Sequence, residues 1–145
     1  MIAANERLNP FQEKFMEFLQ PPGWARPKGY SNAVLCSGRM LFVAGQVGWD
    51  QQEVFRTDDL VGQVRQSLTN IVGILAEGGA KPADIVRMNW YLADQKEYNA
   101  RLSEIGAVYQ ELIGRHFPAM TALQVAGFVE DGAKVEIEVT AMLPA

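Results

Sequence analysis

Two apolar-alternating runs close the chain, and no other stretch constrains the fold as tightly. The first runs from Phe117 to Val129 and the second from Val135 to Leu143. Between them lies a short polar break containing Asp131-Gly132, a dipeptide that readily supplies the positive φ of a tight reversal. The pattern predicts a hairpin of two strands. In the second run Val135, Ile137, Val139 and Ala141 share one face, while Glu136, Glu138 and Thr140 share the other, because side chains alternate along a strand. A half-buried strand with two carboxylates on one face either solvates them or lines a site.

Upstream, Ala33–Cys36 and Arg39–Gln46 read as strands joined by Ser37-Gly38, again a hairpin signal. Thr57 is placed to cap a helix with Asp58 and Asp59 in its first turn, where the helix dipole favours negative charge. Leu60, Val61, Val64, Leu68, Ile71, Val72 and Leu75 mark its apolar stripe, and Gly78-Gly79 stops it. Asp84–Leu92 alternates as a strand. Asp94, with Glu97 as a capping-box partner, opens a second helix whose stripe is Tyr98, Leu102, Ile105, Tyr109, Leu112 and Ile113. The order is ββαβαββ, which predicts an α+β domain: a mixed sheet with two helices on one face. Trp90, Met120, Leu123, Val125, Phe128 and Met142 then offer more apolar surface than those helices cover, so the opposite face is expected to self-associate.

Residues 1–32 form an N-terminal arm and residues 33–145 a single domain. Within the arm, Phe11, Phe15, Phe18 and Leu19 recur at helical spacing over Pro10–Gln20, and Pro21-Pro22-Gly23 ends that short helix. The segment from Gly23 to Tyr30 is too rich in proline and glycine for regular structure. It is either an extended arm packing Trp24 on the domain or a segment whose Arg26, Lys28 or Tyr30 reaches a ligand.

Composition excludes several classes. A net charge of −4 lacks the basicity of a phosphate-backbone binder, and no apolar run is long enough to span a bilayer. A single cysteine, Cys36, cannot form an internal disulfide and suits a reducing compartment. With no export signal at the N-terminus, a cytoplasmic setting is expected. No metal-ligand spacing or phosphate loop is present, and no cofactor is expected. His116, at a helix end, reads as a C-terminal capping residue.

Three motifs stand in order along the chain: Phe42-Val43-Ala44-Gly45-Gln46, Gln63 through Ile71, and Phe117-Pro118-Ala119 followed by Val135-Glu136-Ile137-Glu138. Together they resemble the RidA (YjgF/YER057c/UK114) family of reactive-intermediate deaminases, formerly called endoribonuclease L-PSP. The resemblance covers about Tyr30 to Leu143. It implies a chorismate-mutase-like fold, a homotrimer with its sheets packed into a barrel, and ligand sites in clefts between subunits. It also implies hydrolysis of enamines or imines to ammonia and a 2-keto acid. On the matching positions Glu136 is the carboxylate that positions water, Tyr30 a site tyrosine and Tyr109 an aromatic of the second helix. Met120 stands where the family carries its substrate-binding arginine, Ala44 where many members have serine, and Gly106 where an asparagine precedes the helix tyrosine. Arg26 and Lys28 are the candidate cations to replace that arginine; otherwise the pocket has turned apolar. The alternative is a trimeric small-molecule or partner binder without turnover. The ribonuclease label fits poorly with an acidic chain lacking a His/Lys constellation.

Overall fold

The computed structural model describes residues 15–145. Its elements are β1 (Met16–Leu19), β2 (Ala33–Cys36), β3 (Arg39–Val47), α1 (Leu60–Glu77), β4 (Ile85–Leu92), α2 (Gln95–Ala100), α3 (Leu102–Leu112), β5 (Ala119–Gln124) and β6 (Val135–Leu143). The main sheet has the order β3-β6-β4-β5. β6 is antiparallel to both β3 and β4, whereas β4 and β5 are parallel. Parallel neighbours cannot be joined by a tight turn, and α2–α3 makes that connection. α1 likewise carries the chain from β3 over β6 to β4.

The alternation in β6 is observed as expected. Val135, Ile137, Val139 and Ala141 are buried against α1 and α3, with Val64, Leu68, Ile71 and Leu75 of the α1 stripe. Glu136, Glu138 and Thr140 point to the other face. The predicted hairpins do not form, however. β4 lies between β5 and β6, and β2 pairs with β1 rather than β3. The turn residues do reverse the chain, but pairing follows the edge at which each strand buries its apolar face.

The arm also departs from expectation. Residues 16–19 are a strand laid against β2, with Met16 opposite Cys36 and Leu19 opposite Ala33. A helix this short has a costly nucleus, and the ladder to β2 satisfies the same backbone groups. The part of the predicted helix before Phe15 lies outside the described residues. Trp24 is not packed down, being 63% exposed. Trp90 is placed differently too: it lies in the core at 3% exposure, and Met142 is also buried. The uncovered face instead presents Met40, Phe42 and Leu123, which is partly as anticipated.

Both caps are local and side-chain made. Asp59, not Thr57, caps α1 by accepting from the Gly62 N–H at 3.1 Å. Asp94 caps α2 through the N–H groups of Lys96 and Glu97. The second predicted helix is broken at Arg101, whose guanidinium donates to Asp59 and, at 2.7 Å, to Glu104. Those bonds hold the Asp59 and Glu104 carboxyls below the usual carboxylate range. Among the described residues, no helix is long and apolar enough to cross a membrane. Gly73 sits exposed in mid-α1, and a Cβ there would touch nothing. Gly73→Ala is expected to stabilise the chain by about 0.5–1 kcal/mol, read as a raised midpoint in urea unfolding.

Candidate functional site

A cleft of about 520 Å³ opens between α3 and the β4–β5 pair. Its lining includes Lys28, Met88, Trp90, Tyr109, Phe117 and Met120. The placement follows from alternation: Met120 is opposite Met88 on the parallel ladder, and both face the helices. From α3, Leu102, Gly106, Tyr109 and Gln110 contribute one face at three- and four-residue spacing.

The tyrosine hydroxyl at the cleft is already engaged. Tyr109 donates to the His116 carbonyl at 2.5 Å, and its ring stacks on Phe117 with centroids 5.9 Å apart. Burial pushes the Tyr109 hydroxyl pKa well above the ordinary tyrosine value. The side chain is a neutral wall at physiological pH. His116, in turn, has its Nε2 2.6 Å from the Ile85 carbonyl and its ring edge-on to Phe18, so it ties the helix end to the sheet and to β1.

The arm lies next to this cleft. Ser31 is bonded to the start of β5 through its N–H to the Pro118 carbonyl at 3.0 Å and its hydroxyl to the Phe117 carbonyl at 2.5 Å. That anchor holds Arg26, Lys28 and Tyr30 around a second hollow that shares Lys28, Gly29 and Phe117 with the first. Among the described residues, neither Arg26 nor Lys28 forms an ion pair. Of the six residues singled out from sequence, five are therefore gathered at two adjoining hollows.

Glu136 is not with them. It is opposite Tyr91 on β4 and on the face of the sheet away from the helices. Its carboxylate lies over the backbone of Gly45, where a Cβ would fall 2.3 Å from Oε1. β3 is bulged between Val43 and Gln46, which brings this glycine against β6. The neighbouring Glu138 is tied down: its Oε1 accepts from Tyr91 at 2.5 Å and from Asn89 at 3.0 Å. The bond to Glu138, with burial, raises the Tyr91 hydroxyl above its ordinary value. Glu136 makes no side-chain hydrogen bond among the described residues, so both of its carboxylate oxygens are without a protein partner there.

Sequence reasoning missed Gly45, Phe117 and Trp90 as site-forming residues. Gly45 and Phe117 both lie inside the motifs quoted above. Trp90, counted from sequence among the apolar residues in excess of what the helices cover, lies on the covered face, since periodicity separates two faces without saying which one is covered. Among the described residues no group of three or more His, Cys, Asp or Glu side chains could hold a metal.

Residues 24–143 match the family described as Endoribonuclease L-PSP. Among curated relatives, the 2-iminobutanoate/2-iminopropanoate deaminase of Capra hircus is 34% identical over 78% of this chain and 79% of its own. The Escherichia coli protein of the same name is 30% identical over 72% of this chain and 80% of its own. Among solved structures, the Rid family protein YyfB of Yersinia pestis, described as of unknown function, superposes with a TM-score of 0.80. It is 31% identical and covers 90% of this chain and all of its own.

Proposed function

The chain belongs to the endoribonuclease L-PSP family, the RidA/YjgF proteins, and from that premise we propose that it deaminates a reactive enamine or imine by hydrolysis. The reaction takes place in a cleft completed by a second copy of the chain. Two relatives of about 30% identity named as imino-acid deaminases support the reaction class. The observation that carries the reading is the placement of Glu136. Its free carboxylate and the cleft at Met120 lie on opposite faces of one sheet, so each chain holds half of a site. The uncovered face presents Phe42 at 71%, Met40 at 56% and Leu123 at 52% exposure, a surface suited to burial between copies. A homotrimer packed sheet to sheet joins one copy's Glu136 to the next copy's cleft.

The chemistry is an addition and an elimination, with no redox change and no cofactor required. Glu136 accepts a proton as a water oxygen bonds to the C=N carbon, and the nitrogen takes up a proton. The carbinolamine then collapses: the C–N bond breaks, ammonia leaves and the C=O bond forms. A carboxylate on this face can act as the base and return the proton to the leaving amine. Met120, at the position of the expected arginine, gives no charge to hold a small carboxylate. Simple two- to four-carbon imino acids are therefore poor substrates in this proposal.

Ammonia release from freshly generated 2-imino acids and enamines tests it, with an arginine-containing relative run alongside. Turnover of a subset of imines is expected. No turnover of any imine while the control is active leaves only the alternative, a binding protein. A second check concerns geometry. The three atoms nearest a Cβ at Gly45 all belong to the Glu136 side chain, Oε1, Cδ and Cγ, so Gly45→Ala is expected to displace the carboxylate while the fold survives. Displacement by about 1 Å costs on the order of a hundredfold in turnover, and the thermal midpoint should stay nearly unchanged.

A further inference from the structure

We propose that the cleft beside α3 selects a 2-imino acid with an aromatic side chain, seating the ring against Phe117 and Met120 and turning the carboxylate toward Lys28 and Arg26. The inference rests on the deaminase reading for the reaction and takes its substrate class from the cleft.

Size comes first. A volume of about 520 Å³ lies in the range of sites that enclose whole small molecules. A methyl or ethyl side chain leaves most of that lining without contacts, and uncontacted lining contributes nothing to binding. The lining chemistry narrows the choice. Tyr109 stacks on Phe117 with their planes 11° apart, and Trp90 lies 6.4 Å from Tyr109. Phe117 is 41% exposed, so part of its ring is free to take a further one by stacking. Met88 and Met120 add polarizable sulfur, which packs well on ring edges. Because the Tyr109 hydroxyl is held by His116, Tyr109 contributes its ring to this wall and not a free hydroxyl.

Charge then orients the ligand. Phe117, Gly29 and Lys28 line both the apolar cleft and the arm's hollow, which also holds Arg26. Neither hollow has an acidic side chain among its described lining residues. An apolar chamber that passes into a cationic one matches a molecule with a flat apolar body and an anionic head. A small 2-imino acid offers the head without the body, and a neutral aromatic compound the body without the head.

The test is calorimetric titration of the intact protein with phenylpyruvate, the stable keto product of such a substrate, against pyruvate and against the uncharged 1-phenyl-2-propanone. Phenylpyruvate is expected to bind at least tenfold more tightly than either. Gly106→Leu, where a Cβ meets no atom, should fill the cleft mouth and erase the preference over pyruvate. Lys28→Gln should weaken phenylpyruvate at least fivefold and leave the neutral ketone unchanged. Pyruvate binding as tightly as phenylpyruvate overturns the inference, and this comparison needs only the wild-type chain. Ammonia release separates the two readings. Tight phenylpyruvate binding without ammonia from any imine defeats the deaminase reading and keeps the aromatic selectivity. Ammonia from small and aromatic imino acids at equal efficiency does the reverse.

Discussion

Glu136→Gln is expected to lower ammonia release at least a hundredfold while leaving the fold intact. The substitution keeps size and shape, and the side chain has no hydrogen-bonding partner to lose among the described residues. What it removes is the ability to accept a proton from water, a role that general acid–base groups fill at about 10²–10⁴-fold in rate. Glu138 is the poorer base, because its Oε1 is held by Tyr91 and Asn89. The check is steady-state ammonia release from the best imine found, with thermal unfolding run in parallel. Turnover within a few-fold of the wild type places the base elsewhere and removes Glu136 from the mechanism. A large loss accompanied by a lowered midpoint points instead to a structural role.

Gln63→Leu is expected to give the largest stability loss of any single change considered. Gln63 is fully buried in α1 yet makes three hydrogen bonds outside its own helix. Its Nε2 donates to the Thr57 and Gly132 carbonyls at 3.1 and 2.8 Å, and its Oε1 accepts from the Lys134 N–H at 2.7 Å. The amide thus fastens the loop entering β6 to the helix that covers the sheet. Gly48 packs directly on it, and a Cβ there would stand 2.5 Å from that of Gln63. Leucine fits the volume approximately but strands three polar backbone groups. At about 1 kcal/mol or more for each unsatisfied group, the cost is about 3 kcal/mol. For a chain of this size that lowers the melting midpoint by roughly 10 °C. A change of under 1 kcal/mol by urea unfolding would mean that water satisfies these groups and that the loop is held by other contacts.

Gln63 also shows where reading the sequence stops. It belongs to the motif from Gln63 to Ile71, so its presence carried information, but a glutamine on an apolar stripe does not announce the loop it holds. Its partners at 132 and 134 are about seventy positions away. The two hairpins failed for a related reason. Asp131-Gly132 and Ser37-Gly38 mark reversals, with positive φ at both glycines, yet a reversal does not name the neighbour to which a strand returns. The arm is a third case: the spacing of its phenylalanines suited a helix, and the ladder offered by β2 made residues 16–19 a strand.

For the candidate site, Met120, Tyr109, Lys28, Arg26 and Tyr30 line two adjoining hollows, while Glu136 lies across the sheet from them. The sequence by itself determined which side chains share a face of β6 and where α1 runs. These are local properties, set by a two- or 3.6-residue period. Only the tertiary structure decided that β6 lies between β3 and β4, which face of β4 the helices cover, and that Glu136 and Met120 sit on opposite sides of the sheet. Those choices rest on burying the alternating faces of β3, β4 and β6 against one helix layer, a condition that couples residues across the whole chain and leaves no mark at short range.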